Sequence, residues 1–230
     1  MKQYVLLLKC LDRPGIVHEI SGGLFQEGCN IEESAQFSES GTAVFYMRVR
    51  FSAPDRACVQ KIATALKRLY NGDEAGLAIH DMDKRSRVLI LVSKHGHCLN
   101  DLLFRQRSGL LNMDVAGVVS NHPDFRELAA SYDIPFHHFP VTPQTRAEQE
   151  GRILDLVAST QSDLVVLARY MQILSDRASN ALSGRAINIH HSFLPGFKGA
   201  RPYYQAYDRG VKLIGATAHY VTSELDEGPI

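Results

Sequence analysis

The sequence predicts an α/β protein in two parts, a ferredoxin-like βαββαβ module followed by a Rossmann-like domain on a mostly parallel sheet. Three observations carry this. Apolar residues recur at every second and then every fourth position over residues 3–80. A charged stretch, residues 81–87, then breaks the pattern with Met82 as its one apolar residue. Beyond it, short and almost wholly apolar runs alternate with helical stretches, which a parallel sheet covered on both faces requires.

Taken in order, residues 4–9 form a strand, and Pro14 suits the first turn of a helix whose Ile16, Ile20 and Leu24 share one face. Gly28 and Asn30 stop that helix. After a turn at Ser40-Gly41, Phe45, Met47, Val49 and Phe51 alternate with Val44, Tyr46, Arg48 and Arg50, as a half-buried hairpin strand does. Val59, Ile62, Leu66 and Leu69 mark a second amphipathic helix, and residues 77–80 close the sheet. The boundaries read as residues 1–82 for the first domain, 83–87 for an exposed linker and 88–230 for the second domain. Its strands are expected at 88–92, 115–119, 164–168 and 186–190, with Ile153, Leu154 and Val157 on a helix between them. Ligands of such sheets bind at the carboxyl ends of the strands, where Asn188 and His190 fall.

Composition narrows the function. Twenty-five basic residues balance twenty-five acidic ones, so no global field gathers nucleic acid or an anionic membrane. No apolar run reaches membrane-spanning length. The four cysteines are scattered without a Cys-x-x-Cys pair, which suits reduced thiols in a cytoplasm rather than a disulfide scaffold or a zinc ribbon. No metal motif, serine-hydrolase elbow or three-glycine dinucleotide fingerprint is present. Gly96, in Lys94-His95-Gly96-His97-Cys98-Leu99, is the single glycine of a weak phosphate-loop candidate, and equally a place where a helix starts close to the sheet.

The run with most chemistry is Asn188-Ile189-His190, followed by Leu194-Pro195-Gly196 and later by Asp226. Residues two apart on a strand face the same way, so an amide and an imidazole can meet one carbonyl while a carboxylate serves a water. Residues 193–204, with Pro195, Gly196, Gly199 and Pro202, read as an irregular loop that closes over the site. The chain stops two residues past Gly228 in an apolar segment, and the natural protein is expected to continue.

Two resemblances extend this reading. Asp12-Arg13-Pro14-Gly15-Ile16 with Gly28-Cys29-Asn30-Ile31 resembles the ACT domain, a regulatory module that self-associates and often binds amino acids. The resemblance implies an amino-acid effector, such as glycine or methionine, contacting Asp12, Arg13, Gly15, Ile16, Asn30 and Ile31, and a homo-oligomer, dimer or tetramer. Read as residues alone, Gly15, Gly28 and Asn30 need do no more than make turns. The runs at 188–196, 199–203, 215–221 and 225–230 resemble the folate-dependent formyltransferase family.

An ACT module ahead of that domain, with His191-Ser192-Phe193-Leu194-Pro195, is similar to the family branch that hydrolyses 10-formyltetrahydrofolate to tetrahydrofolate and formate. The resemblance implies Asn188, His190 and Asp226 as catalytic residues. It also implies Tyr170, Met171, Gln172, Ile173 and Leu174, with Thr222 and Glu224, as folate contacts. No metal and no cofactor beyond the folate substrate are required. The bulky Lys94–Leu99 loop, where glycinamide ribonucleotide transformylases hold a phosphate, is expected to crowd out an amine and admit water. Formyl transfer to an amine, and folate sensing without turnover, remain the alternatives.

Overall fold

The computed structural model describes residues 1–39, 41–70, 76–197 and 201–230, so Ser40 of the expected turn and Gly199 of the expected loop lie outside the described residues. Two compact units divide the chain, Met1–Lys84 and Arg85–Ile230.

The first unit comprises β1 (Lys2–Leu11), α1 (Ile16–Gln26), β2 (Asn30–Glu39), β3 (Val44–Ala53), α2 (Arg56–Leu69) and β4 (Gly76–Asp81). Its antiparallel sheet runs β2-β3-β1-β4, the ferredoxin-like order. One face is dry because Leu6 and Leu8 of β1 and Phe45, Met47, Val49 and Phe51 of β3 meet Ile16, Ile20 and Leu24 of α1 and Val59, Ile62 and Leu66 of α2. Gly28, at φ 69°, reverses the chain after α1, where the Gly28 and Cys29 amides donate to Phe25 and Leu24. Leu69, expected on the buried stripe, is exposed. Tyr70 is buried in its place and donates its hydroxyl to Glu19 at 2.8 Å.

The second unit comprises β5 (Ser86–Val92), α3 (His97–Arg107), β6 (Met113–Ser120), α4 (Arg126–Ala130), β7 (Phe136–His138), α5 (Arg146–Ser159), β8 (Leu164–Leu167), α6 (Asp176–Ala181), β9 (Ala186–His190), α7 (Pro202–Asp208) and β10 (Thr217–Tyr220). The sheet order is β10-β9-β8-β5-β6-β7, parallel except for β10. Period-two alternation divides β5 between two cores. Leu89 and Leu91 pack with Ile153 and Val157 of α5, and Val88, Ile90 and Val92 pack with Leu99 and Leu103 of α3.

Several boundaries differ from expectation; Pro14, expected in the first turn of α1, lies two residues before it, because Gly15 in its left-handed conformation caps the helix. Ser86 and Arg87, expected in the linker, already pair with Met113 and Asp114 in the sheet, because strand pairing continues past the last apolar residue. Pro202 to Tyr204, expected as irregular loop, open α7. Proline is tolerated at a first helical position, where its missing amide has no partner to lose.

Candidate active site

The parallel strands β8 and β9 end at a cavity of about 290 Å³. Asn188 and His190 line it from β9, and the antiparallel pairing of β10 with β9 sets His219 directly opposite Asn188. Asp226 enters from the segment after β10. His190 Nδ1 lies 3.3 Å from Asp226 Oδ1, and His219 Nε2 lies 3.6 Å from the same oxygen. Asn188 Nδ2 is 3.2 Å from His219 Nε2. His190, His219 and Asp226 are all buried, so each needs polar partners within the protein.

The partners assign the protons. His219 Nδ1 faces the Tyr220 carbonyl at 3.0 Å and must donate to it, which leaves Nε2 to accept from Asn188. That bond uses one of the two amide hydrogens of Asn188 and leaves the other free to meet a ligand. His190 faces acceptors on both sides: Nε2 donates to the Phe197 carbonyl at 3.1 Å, and Nδ1 faces Asp226 Oδ1.

Local sequence holds this geometry. Asp226 has φ 58°, a left-handed conformation that Asp tolerates better than most residues. Two residues on, Gly228 passes so close to β10 that a Cβ there would press on the Tyr220 carbonyl oxygen and stand 2.8 Å from its carbon. Tyr220 N donates to the Pro229 carbonyl at 2.8 Å, so the Asp226 segment is laced to β10. At the other end of β10, Thr217 Oγ1 donates to the Ser192 carbonyl at 2.7 Å and accepts from Leu194 N at 3.1 Å.

The turn expected to bind the pterin follows β8 and forms another wall of the cavity, from Tyr170 to Leu174. Met171 and Ile173 are more than half exposed, as residues that cover a planar ring need to be, whereas Leu174 belongs to the core. Tyr170 braces the turn from below: its ring is buried and its hydroxyl accepts from Gln149 Nε2 at 2.6 Å. Buried Glu150 takes the Ser175 amide at 2.9 Å and the Ser175 hydroxyl, and Arg146 donates to the Ile173 carbonyl. Thr222 and Glu224 line the facing wall, where the Thr222 hydroxyl closes a short turn onto the Glu224 carbonyl at 2.9 Å.

The 94–99 stretch contributes differently from a phosphate loop. A Cβ at Gly96 would stand 2.5 Å from Cζ of Phe125, so the missing side chain there makes room for an aromatic ring. Ser93, immediately before, is buried and clamps the turn after β8. Its amide donates to the Arg169 carbonyl at 3.2 Å, and its hydroxyl accepts from Met171 N at 3.0 Å and donates to Asn121 Oδ1 at 2.7 Å. His191 lies beside His190, its ring 5.3 Å away. Burial, and then the charge of Arg169 and the neighbouring His190, push its pKa down to about 4.

The residues expected to bind an effector are not gathered in one copy of the first unit. Leu11, next to Asp12, pairs with Val44, whereas Asn30 pairs with Ser52. Eight residues of β3 separate those points, about 27 Å at strand spacing. Arg13 is engaged by Glu19 at 2.6 Å, Gly15 with φ 93° precedes α1, Ile31 lies on the edge strand, and Ile16 is buried in the core, unavailable to a ligand. Among the described residues, no cluster of three His, Cys, Asp or Glu could hold a metal, and no helix is long and apolar enough to cross a membrane.

His219, Arg169, Ser93 and Glu150 are among the residues in or bracing the site that sequence reasoning missed. A signal for the first existed: Thr217 and His219 keep the two-residue spacing of Asn188 and His190, as a paired strand facing the same cavity would.

Residues 86–230 match the formyl transferase family. The formyltetrahydrofolate deformylase of Corynebacterium sp. (strain P-1) is 47% identical, over 99% of this chain and 80% of that protein. Among solved structures, a formyltetrahydrofolate deformylase from Burkholderia mallei is 51% identical with a TM-score of 0.90, covering 100% of this chain and 82% of the other. A glycinamide ribonucleotide transformylase from Symbiobacterium toebii is 33% identical with a TM-score of 0.59, over 64% of this chain and 70% of the other.

Proposed function

Since the chain belongs to the formyl transferase family and, over its whole length, to the formyltetrahydrofolate deformylases, we propose that it hydrolyses 10-formyltetrahydrofolate to tetrahydrofolate and formate. The observation that carries the chemistry is the convergence of Asn188, His190, His219 and Asp226 on one cavity. The formyl carbon sits between them with its oxygen toward the free amide hydrogen of Asn188. That hydrogen is aimed by the bond to His219, and it strengthens its hold as the oxygen gains negative charge.

Water attacks the formyl carbon while Asp226 takes up its proton, giving a tetrahedral intermediate. Asp226 passes that proton to the folate nitrogen as the C–N bond breaks, leaving a secondary amine and formate. Water supplies one oxygen to formate, and its two hydrogens are divided between the amine and the medium. The pterin lies in the turn of Tyr170 to Leu174, read by exposed backbone and covered by Met171, Gln172 and Ile173, with Thr222 and Glu224 across from it.

Formyl transfer to an amine is the nearest alternative. The match to the deformylases spans both units, and the match to the transformylase covers under two thirds of the chain, which favours hydrolysis. We read the ferredoxin-like unit as an ACT module of a cytoplasmic homo-oligomer that senses an amino acid such as glycine or methionine. Asp12 and Arg13 lie at one end of that unit and Asn30 at the other, so a shared effector site needs a second copy. The physiological role is one-carbon balance and formate supply for purine synthesis. Formate release from 10-formyltetrahydrofolate without an amine tests the reading. Release that depends on added glycinamide ribonucleotide reverses it in favour of transfer.

A further inference from the structure

Among the described residues, no carboxylate pairs with Arg169. Arg169 follows β8 with φ 62°, a conformation that few residues other than glycine adopt, and its side chain lines the cavity shared by Asn188 and His190. Its Nε and Nη1 are buried and have no hydrogen-bond partner among the described residues. A guanidinium cannot escape such a position by losing its proton, so the site lacks a partner of opposite charge. The other acidic groups lining this cavity do not supply one: Asp226 faces two imidazoles, and Glu224 is exposed on the far wall. Nearby His191 is kept neutral at physiological pH and offers a hydrogen bond but no competing charge.

We propose that Arg169 is the binding residue of a small-carboxylate subsite that takes up the formate ion as it is released. The proposal rests on the deformylase reading, because the charge balance of that reaction calls for such a site. The formyl group enters as a neutral amide and leaves as an anion beside Asn188 and His190, and charge-assisted hydrogen bonds from a partly buried guanidinium suit a carboxylate. The glutamyl tail of the folate carries the same chemical group, so the experiment must tell the two apart.

Arg169→Gly is the informative variant. Glycine accepts the left-handed backbone without strain, so the side chain is removed with the fold kept. Binding of sodium [13C]formate is followed by NMR in the presence of tetrahydrofolate, with tetrahydrofolate affinity and the urea midpoint measured alongside. Arg169→Gly should weaken formate at least tenfold and leave tetrahydrofolate affinity within about twofold, with Arg169→Lys between the two. Unchanged formate binding in Arg169→Gly, no detectable formate binding by the unaltered protein, or a loss confined to tetrahydrofolate would overturn the proposal. The titration needs no turnover. A chain that releases no formate from 10-formyltetrahydrofolate would instead count against the deformylase reading, and the titration would still judge Arg169.

Discussion

Gly228→Ala separates the geometry of the site from its chemical groups, because it alters none of the reacting side chains. The added Cβ would stand 2.8 Å from the Tyr220 carbonyl carbon and 3.3 Å from His219 Nδ1, with the Tyr220 oxygen closer still. Carbon contacts relax at about 3.5–4.0 Å and the oxygen contact is tighter than the carbon one, so the segment must retreat by more than about 1 Å. The bond from Tyr220 N to the Pro229 carbonyl, now 2.8 Å, would pass hydrogen-bonding range. Its loss costs about 1 kcal/mol and the overpacking a further ~1–3 kcal/mol, so the urea midpoint should fall by the equivalent of about 2–4 kcal/mol. Asp226 sits two residues away and moves with the segment, off contacts of 3.3 and 3.6 Å to His190 and His219. A misplacement of that size costs on the order of 100-fold in kcat. The assay is formate release at saturating 10-formyltetrahydrofolate, with tetrahydrofolate binding as the check that the variant is folded. A kcat within threefold of the unaltered protein would refute the argument that β10 packing holds Asp226 in place.

The other outcomes follow from the same structure. Asn188→Ala and Asp226→Asn should each lower kcat by roughly 10²–10⁴ while tetrahydrofolate affinity changes little, since both groups act most strongly in the transition state; asparagine also tolerates the left-handed backbone at 226. Equal losses in kcat and affinity would show a binding role only. Glu150→Ala strips the Ser175 amide and hydroxyl of their acceptor and should destabilise the protein by about 1–3 kcal/mol and raise KM more than it lowers kcat. An unchanged KM would detach the α5 anchor from folate binding. His191 is held neutral in the folded state down to about pH 4, whereas the unfolded chain protonates it near 6.5, so unfolding free energy should fall as pH drops from 6.5 towards 4. His191→Asn should flatten that slope in urea titrations at pH 7 and 5. His137, also lowered by burial, contributes in the same direction, so part of the slope will remain. A slope identical in His191→Asn would show that His191 is not buried neutral.

Much of the fold was legible because burial imposes short periods on the chain. The four-residue recurrence of Ile16, Ile20 and Leu24, and the solid apolar run of β5, follow from elements that bury one face or two. The spacing of Asn188 and His190 was legible for the same reason, since neighbours on one face of a strand differ by two. What escaped depends on partners distant in sequence. Ser93 clamps Met171 across 78 residues, Glu150 holds Ser175 across 25, and His219 meets Asn188 across 31. Gly96 read equally as a weak phosphate-loop candidate and as a close helix start; it does cap α3, but nothing local announces the Phe125 ring against it. The strands β7 and β10, three and four residues long, are too short for alternation to declare itself. The effector residues came from a turn motif that says nothing of the length of β3 lying between them.

The central claim is that water, activated at the Asn188, His190 and Asp226 cluster, attacks the formyl carbon. Incubating the protein with 10-formyltetrahydrofolate in H2 18O without any amine, and weighing the formate released, tests it most directly. The account predicts formate carrying one labelled oxygen, equimolar with tetrahydrofolate, at a rate cut at least 100-fold in Asp226→Asn. Unlabelled formate, no release until an amine acceptor is added, or a rate indifferent to Asp226 would contradict it.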